Sequence, residues 1–364
     1  MAAMAERQDS ANEQATVAAG TIARPRPVAR WLLRLVCVIL AVAALHYSFV
    51  TWIAAAEWRN TGLVCLMYHR FATPADYARL SGDDRVYTID VNHFAEQMDL
   101  LAAQGWRPIP LDQALAGLRS GRSFPHHATL LTIDDGSRNV VTLAEPILRK
   151  HGWRATLFLT TDPDAYVFHD GPPDSQRLIA DEIRRLDPAV WDIGAHGHTH
   201  RPLRDLPIDE MRSELAKSRD TLAALTGRVP VAMSVPGNWY DDAVLREAKA
   251  AGFEAVFVSD PGSVLPTRDP DRIRRLMVSG AWPTDKLARD LTPDALGRRR
   301  ALADINRALG RVLPRPILDG VSSMLQAMTP TNRHAILGLL SVSLMGTVVL
   351  ARLTRRVRPR PDAQ

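Results

Sequence analysis

Two adjacent carboxylates, Asp134 and Asp135, close the apolar run ATLLTI and are followed by Gly136. Carboxylates at the end of a buried run are costly unless a metal ion or a cation compensates them. Gly136 lets the chain turn away without crowding, although Asp-Asp-Gly is also ordinary turn chemistry. Sixty residues later comes His196-Gly197-His198-Thr199-His200. Imidazoles four residues apart converge on one ion if the loop takes a helical turn; the alternative is a solvated loop that carries histidines by chance. Two histidines with one carboxylate leave coordination positions open for water and substrate, as in a hydrolytic or oxidative metal site. The third cluster is Tyr68-His69-Arg70, where a lone histidine ends another apolar run and ordinarily serves as a structural hydrogen bonder. His93, His126, His127, His151 and His169 have no partner pattern and read as surface residues.

The elements that must position these clusters are legible from the pattern of apolar residues. Strands are expected at 63–69, 128–134, 155–160, 191–196, 231–235, 254–258 and 275–278. Helices are expected at 94–105, through Ile147 and Leu148 to Gly152, at 208–226 and at 241–251. Alternating strands and helices imply a parallel sheet with crossover helices, open or closed into a barrel. All three clusters then fall at carboxyl ends of strands, where such folds build their sites. Beyond residue 283 the strands stop. Thr292-Pro293-Asp294 caps a helix with Leu302, Ile305, Leu309 and Val312 on one face, and a short helix follows at 316–328.

With 364 residues the chain exceeds one ordinary domain, and 46% hydrophobic against 23% charged residues excludes a disordered, collagen-like or coiled-coil protein. The net charge of +5 belongs to the ends: residues 1–34 carry +2 and 352–364 carry +4, which leaves −1 on the body and gives no basic face for nucleic acid. Two cysteines, Cys37 and Cys65, make neither a disulfide framework nor a Cys-rich zinc site.

Between Arg34 and Glu57 lie 22 uncharged residues, about 33 Å of helix, and between His334 and Arg352 lie 17 more, about 26 Å. Arg24, Arg26, Arg30 and Arg34 precede the first stretch, and Arg352, Arg355, Arg356, Arg358 and Arg360 follow the second. The positive-inside rule then puts both termini in the cytoplasm and the body outside. A cleaved signal peptide ending near Ala54-Ala55-Ala56 and a buried core helix are the alternatives for the two stretches.

With these residues in place, the sequence resembles the polysaccharide deacetylase family, the NodB-homology domain. Thr132-Ile133-Asp134-Asp135-Gly136 matches its T-F-D-D-G motif, with Ile for Phe, and His196–His200 matches its H-[S/T/G]-x-x-H motif. The leading segment, LMYHRF followed by FAEQMDLLAAQGWRPIPLDQAL, resembles the subgroup acting on exported poly-N-acetylglucosamine. The resemblance spans about residues 62–280 and implies an α/β fold, a distorted (β/α) barrel, here expected to be flanked by two transmembrane helices. It implies one divalent metal ion, zinc in most members, held by Asp135, His196 and His200. Asp134 is then the general base and His69 the general acid. The family's R-x-P-x-G stretch survives only as Ser234-Val235-Pro236-Gly237-Asn238-Trp239, so its base-bracing Arg is missing. Arg275 or Arg138 could substitute, and Trp239 and Tyr240 could wall the sugar site or be plain core aromatics.

The expected organisation is a disordered cytoplasmic tail at 1–34, a transmembrane helix at 35–56, the deacetylase domain at 57–282, a helical extension at 283–334, a second transmembrane helix at 335–352 and a basic tail at 353–364. The expected activity is metal-dependent removal of acetyl groups from N-acetylhexosamine units of an extracytoplasmic polysaccharide. The domain would face the periplasm or exterior of a bacterial inner membrane, where membrane lipid and exopolysaccharide export machinery are the candidate partners. O-acetyl esters, deacylation of a lipid-linked or lipopolysaccharide sugar, and a catalytically silent glycan-binding role in an export complex are the other readings.

Overall fold

The computed structural model describes residues 62–165, 175–261 and 270–310, together with Ala41, Ala44, Ser48 and Trp52, which are helical. The rest of the first apolar stretch, all of the second, both tails and the helix expected at 316–328 lie outside the described residues. Among the described residues, no helix is long and apolar enough to cross a membrane.

The strands in chain order are β1 (Val64–Tyr68), β2 (Arg70–Ala72), β3 (Thr88–Asp90), β4 (Arg107–Pro108), β5 (Ala128–Ile133), β6 (Ala155–Leu159), β7 (Trp191–Ala195), β8 (Ala232–Ser234), β9 (Ala255–Val258), β10 (Ile273–Arg274) and β11 (Leu276–Met277). Nine of them make one sheet in the order β10-β9-β8-β7-β6-β5-β1-β11, with β4 added beside β5. Every pairing in it is parallel. Because helices cover such a sheet, its strands are buried on both faces and read as continuous apolar runs. The two-residue β4 and the small β2-β3 sheet are too short to leave a periodic signal in the sequence.

The single strand expected at 275–278 is corrected by the structure to two short pieces. Ile273 and Arg274 pair with Phe257 and Val258 at one edge of the sheet. Leu276 and Met277 pair with Leu66 and Met67 at the other. One stretch of chain thus belongs to both edges and closes the sheet into a distorted barrel, with Arg275 at the crossing. The strand breaks there because Arg275 turns its N–H to the carbonyl of Asp260, 3.2 Å away, and leaves the ladder.

Alternation along the strands sorts the core into two faces. Cys65, Leu130, Phe158, Ala232, Phe257 and Ile273 pack together on one face with Leu111, Leu115 and Leu118 of the helix Leu111–Ser120. Leu66, Leu131, Leu157, Met233 and Val256 on the other face pack against the outer helices. Those helices begin and end where local chemistry permits. Asp90 caps Val91–Ala103 by accepting from Asn92 N at 2.8 Å, three residues earlier than the expected start. Asp241 caps Asp242–Ala250, and Gly227, at φ 69°, ends Ile208–Thr226. The helix Pro293–Gly310 is present, whereas Val312 lies outside the described residues. Burial also accounts for Cys65, whose thiol is pushed up to about 12 and is inert in the core.

Candidate active site

Register brings the three clusters together. Tyr68 pairs with Ile133, so His69 and Asp134 leave the sheet side by side. Ala195 pairs with both Leu159 and Met233, which sets His196 beside Ser234 at the same rim.

Asp134 is buried, and Arg275, 0% exposed, grips it with both arms. Nη1 donates to Oδ1 at 2.6 Å and Nη2 to Oδ2 at 2.8 Å. Such a bidentate pair is strong and directional. Burial pushes the Asp134 carboxyl up, but Arg275, with His196 and His69, outweighs it and leaves the group below its ordinary range. The guanidinium also donates to Thr132 Oγ1 at 3.2 Å and lies 5.6 Å above the Phe158 ring. Of the two arginines considered for this brace, the structure brings Arg275 to Asp134 and not Arg138. Arg138 instead pairs with Glu182 at 2.8 Å, because the turn after Gly136 carries it toward the 175–182 segment.

Asp135 sits at φ 74° and His200 at φ 60°, a conformation costing of order 1–3 kcal/mol for residues other than glycine. The turn is closed by Gly136 at φ 79°, where an added Cβ would meet Leu159 Cδ2 at 2.5 Å. The backbone arrangement aims Asp135 Oδ1 at two imidazoles, His196 Nε2 at 3.4 Å and His200 Nε2 at 3.3 Å. The three donor atoms lie within 4.8 Å of one another. Asp135 Oδ2 is buried with no hydrogen-bond partner. Burial pushes this carboxyl up, yet His196 and His200 hold it well below the usual range. An oxygen and two imidazole nitrogens, with an orphaned carboxylate oxygen among them, fit a divalent cation of the zinc type.

Ser234 joins the two halves of the site. Its hydroxyl donates to Asp134 Oδ2 at 3.0 Å and lies 2.6 Å from His196 Nδ1, which is also 3.0 Å from the Ser234 carbonyl. With the hydroxyl proton committed to Asp134, His196 Nδ1–H is the donor to Ser234 and Nε2 keeps its lone pair for an ion. His69 lies between β1 and β2, its ring 5.0 Å from that of Tyr87, edge to face. Burial lowers its pKa while the carboxylates of Asp135 and Asp134 raise it; Arg275 and His196 lower it further, and the net shift is downward.

Trp239 is 41% exposed on the turn after β8, at the same end of the sheet. Tyr240, left open in the sequence between a sugar wall and a core aromatic, is buried, and its hydroxyl donates to Asp260 Oδ2 at 2.7 Å. His198 turns away from the other histidines, with Nδ1 2.9 Å from Thr161 Oγ1.

Three further residues at the site were missed by sequence reasoning. Ser234 stands where the family motif has its Arg. Arg177 Nη1 donates to the Asp135 carbonyl at 3.1 Å, from a segment without periodicity. Glu214 accepts from His198 N at 3.1 Å, Thr199 N at 2.8 Å and Thr199 Oγ1 at 2.6 Å, and so holds the histidine loop. Its signal was available, as a carboxylate within the apolar stripe Met211, Leu215, Leu222. Glu214→Ala should leave the amides of His198 and Thr199 unsatisfied, at about 1–3 kcal/mol for each buried group. Zinc affinity should fall about 10–100-fold, the usual worth of such outer support. Competition titration with a chromogenic chelator measures it, and unchanged affinity would refute the assignment.

Residues 121–256 match the family model described as polysaccharide deacetylase. The poly-beta-1,6-N-acetyl-D-glucosamine N-deacetylase of Escherichia coli K12 is 27% identical over 163 residues, 42% of this chain but 23% of that protein, so the match spans about a quarter of its length. The protein of the same name from Staphylococcus epidermidis is 23% identical over 241 residues, 61% of this chain and 81% of that one. Among solved structures, IcaB from Ammonifex degensii superposes with a TM-score of 0.53 at 21% identity, covering 66% of this chain and 97% of that chain. The Streptococcus pyogenes deacetylase PplD in complex with acetate gives 0.54 at 18% identity, covering 63% and 98%. These structural likenesses establish the distorted parallel (β/α) barrel.

Proposed function

The chain carries a polysaccharide deacetylase domain, with the family match at residues 121–256, and from that premise we propose that it is a metal-dependent hydrolase removing acetyl groups from N-acetylhexosamine units of an extracytoplasmic polysaccharide. One observation carries this reading. Three ligand atoms within 4.8 Å of one another, from Asp135, His196 and His200, stand beside a buried carboxylate, Asp134, that a bidentate arginine keeps ionised.

Asp135, His196 and His200 would hold a divalent cation, and the chemistry it would supply there is Lewis acidity toward an acetyl carbonyl and a water molecule. The chain's own residues manage the protons. Asp134, ionised under Arg275, accepts the proton of the attacking water. Ser234 holds Asp134 Oδ2 and His196 Nδ1 together, so base and ligand keep their spacing. His69 donates to the departing amine from the neighbouring strand end, while Trp239 offers an exposed face to the sugar. A catalytically silent glycan binder would be free to lose the base or a ligand, and Asp134, Asp135, His196, His200 and His69 are all present here.

Poly-beta-1,6-N-acetyl-D-glucosamine, the substrate in the relatives' names, is the first glycan to test. The two uncharged stretches with their arginine flanks support a membrane-anchored domain facing the periplasm or exterior, with both termini cytoplasmic. Acetate release from that glycan, from O-acetylated sugars and from lipid-linked sugars, with zinc supplied, tests the activity. Release from N-acetylglucosamine polymer is expected, and no release from any acetylated sugar would end the reading. Dialysis against a strong chelator is expected to abolish release and added zinc to restore it. Full activity after verified metal removal would refute the metal centre.

A further inference from the structure

The helix Pro293–Gly310 lies beyond the family match, and the proposed chemistry gives it nothing to do. It is nevertheless rooted in the domain: Leu296 is fully buried, and Arg299 pairs with Asp290 at 2.6 Å. Asp304 and Arg307 are three residues apart, hence on one helix face. They reach the rim of the sheet with opposite charges. Asp304 pairs with Arg274 and, at 3.6 Å, with Arg272. Arg307 pairs with the Asp260 carboxylate and donates to the Tyr240 hydroxyl.

What Arg307 holds is next to the base. The carbonyl of Asp260 accepts the N–H of Arg275 at 3.2 Å, at the crossing where the strand breaks. The carboxylate of Asp260 accepts from Tyr240 Oη at 2.7 Å and Asn238 Nδ2 at 3.3 Å, fixing the turn that carries Trp239. Burial pushes the Asp260 carboxyl up, against the hydrogen bond from Asn238 and the nearby charges of Arg274 and Arg272, and the net shift is upward. The two arms of the helix are unequal. Asp304 is 46% exposed, and solvent screens its pairs. Arg307 and Asp260 are 22% and 13% exposed, so their attraction is screened far less.

We propose that Arg307 is a positioning residue: through Asp260 it fixes the backbone of Arg275, and thereby the guanidinium that braces Asp134, so that the helix Pro293–Gly310 is part of the catalytic unit. The inference rests on Asp134 being the base. It is tested on the full chain with Arg307→Gln, which removes the charge and leaves a shorter polar side chain, and Arg307→Lys, which keeps the charge.

For Arg307→Gln, kcat on N-acetylglucosamine oligomers should fall about tenfold, since small misplacements of reacting groups are expensive. KM and zinc content should stay at wild-type values, and Arg307→Lys should recover most of kcat. In protein labelled with nitrogen-15 arginine, the guanidinium protons of Arg275 should exchange faster in Arg307→Gln than in wild type. A merely structural role would lower Tm without moving either readout. Wild-type kcat together with unchanged Arg275 exchange would overturn the proposal. If wild type itself releases no acetate, the functional reading falls, and the exchange measurement still decides whether Arg307 governs Arg275.

Discussion

Asp134→Asn is expected to lower acetate release by about 10²–10⁴, the usual worth of a general base, while zinc content stays at the wild-type level. Asn cannot take a proton from water, and Asp135, His196 and His200, the proposed ligands, are untouched. Stability should change as well. Arg275 is fully buried and would lose the charge that Asp134 sets against it. Removing one partner of a buried pair costs about 3–5 kcal/mol, which for a domain of this size lowers Tm by about 2–4 °C per kcal/mol. Adding Arg275→Met to Asp134→Asn should return much of that stability and none of the activity, because apolar replacement of both partners is often neutral. A double variant no more stable than Asp134→Asn would show that the pair is not what the single change breaks.

The single variant Arg275→Met reverses the electrostatics of the base. In the wild type, Asp134 is held below its ordinary range, so its contribution to stability is present above the unfolded carboxylate pKa and is lost as acid protonates the folded group. Without Arg275, burial acts with less opposition and raises the folded pKa. The metal-free variant should then lose stability as pH rises, as a buried acid is forced to ionise. Melting curves between acid and neutral pH read the sign directly; a variant whose Tm follows the wild-type pH trend would refute this account of Asp134.

His69→Ala is expected to cut turnover by a further large factor, again about 10²–10⁴, with neither metal content nor Tm following. The ring touches Tyr87 edge-on and is not among the three residues that converge on the ion. Losing it therefore removes a proton donor without disturbing the ligands. Zinc analysis beside kcat separates the cases. A variant that loses zinc would make His69 a structural or ligating residue, and one with full activity would leave the departing amine without its acid.

Much of this site is legible in the linear chain because its parts are local. Thr132–Gly136 and His196–His200 each hold their chemistry within five residues, and each follows a run apolar enough to be read as a buried strand. The helix Ile208–Thr226 was expected at the same bounds, since its periodicity and its terminal glycine lie in one segment. The roles of Asp135, His196 and His200 came from motif resemblance, and the sequence alone left the histidines as a loop that might be merely solvated. The short strands β10 and β11 were not legible as two, because two residues carry no period.

Tertiary structure decided what stands next to what. Arg275 and Asp134 are 141 residues apart, Ser234 and Asp134 are 100 apart, and their contacts follow from strand register around a closed sheet. Register is a property of pairing between strands, and nothing in the composition of either strand specifies the partner. Composition and spacing therefore leave both Arg138 and Arg275 as candidates; closure of the barrel at Arg275 separates the arginine that meets Asp134 from the one that meets Glu182. Glu214 and Arg307 belong to the same class. Each is an ordinary charge on a helix until packing carries that helix to the rim, where a buried amide or carboxylate has no water to satisfy it and must find its partner in the fold.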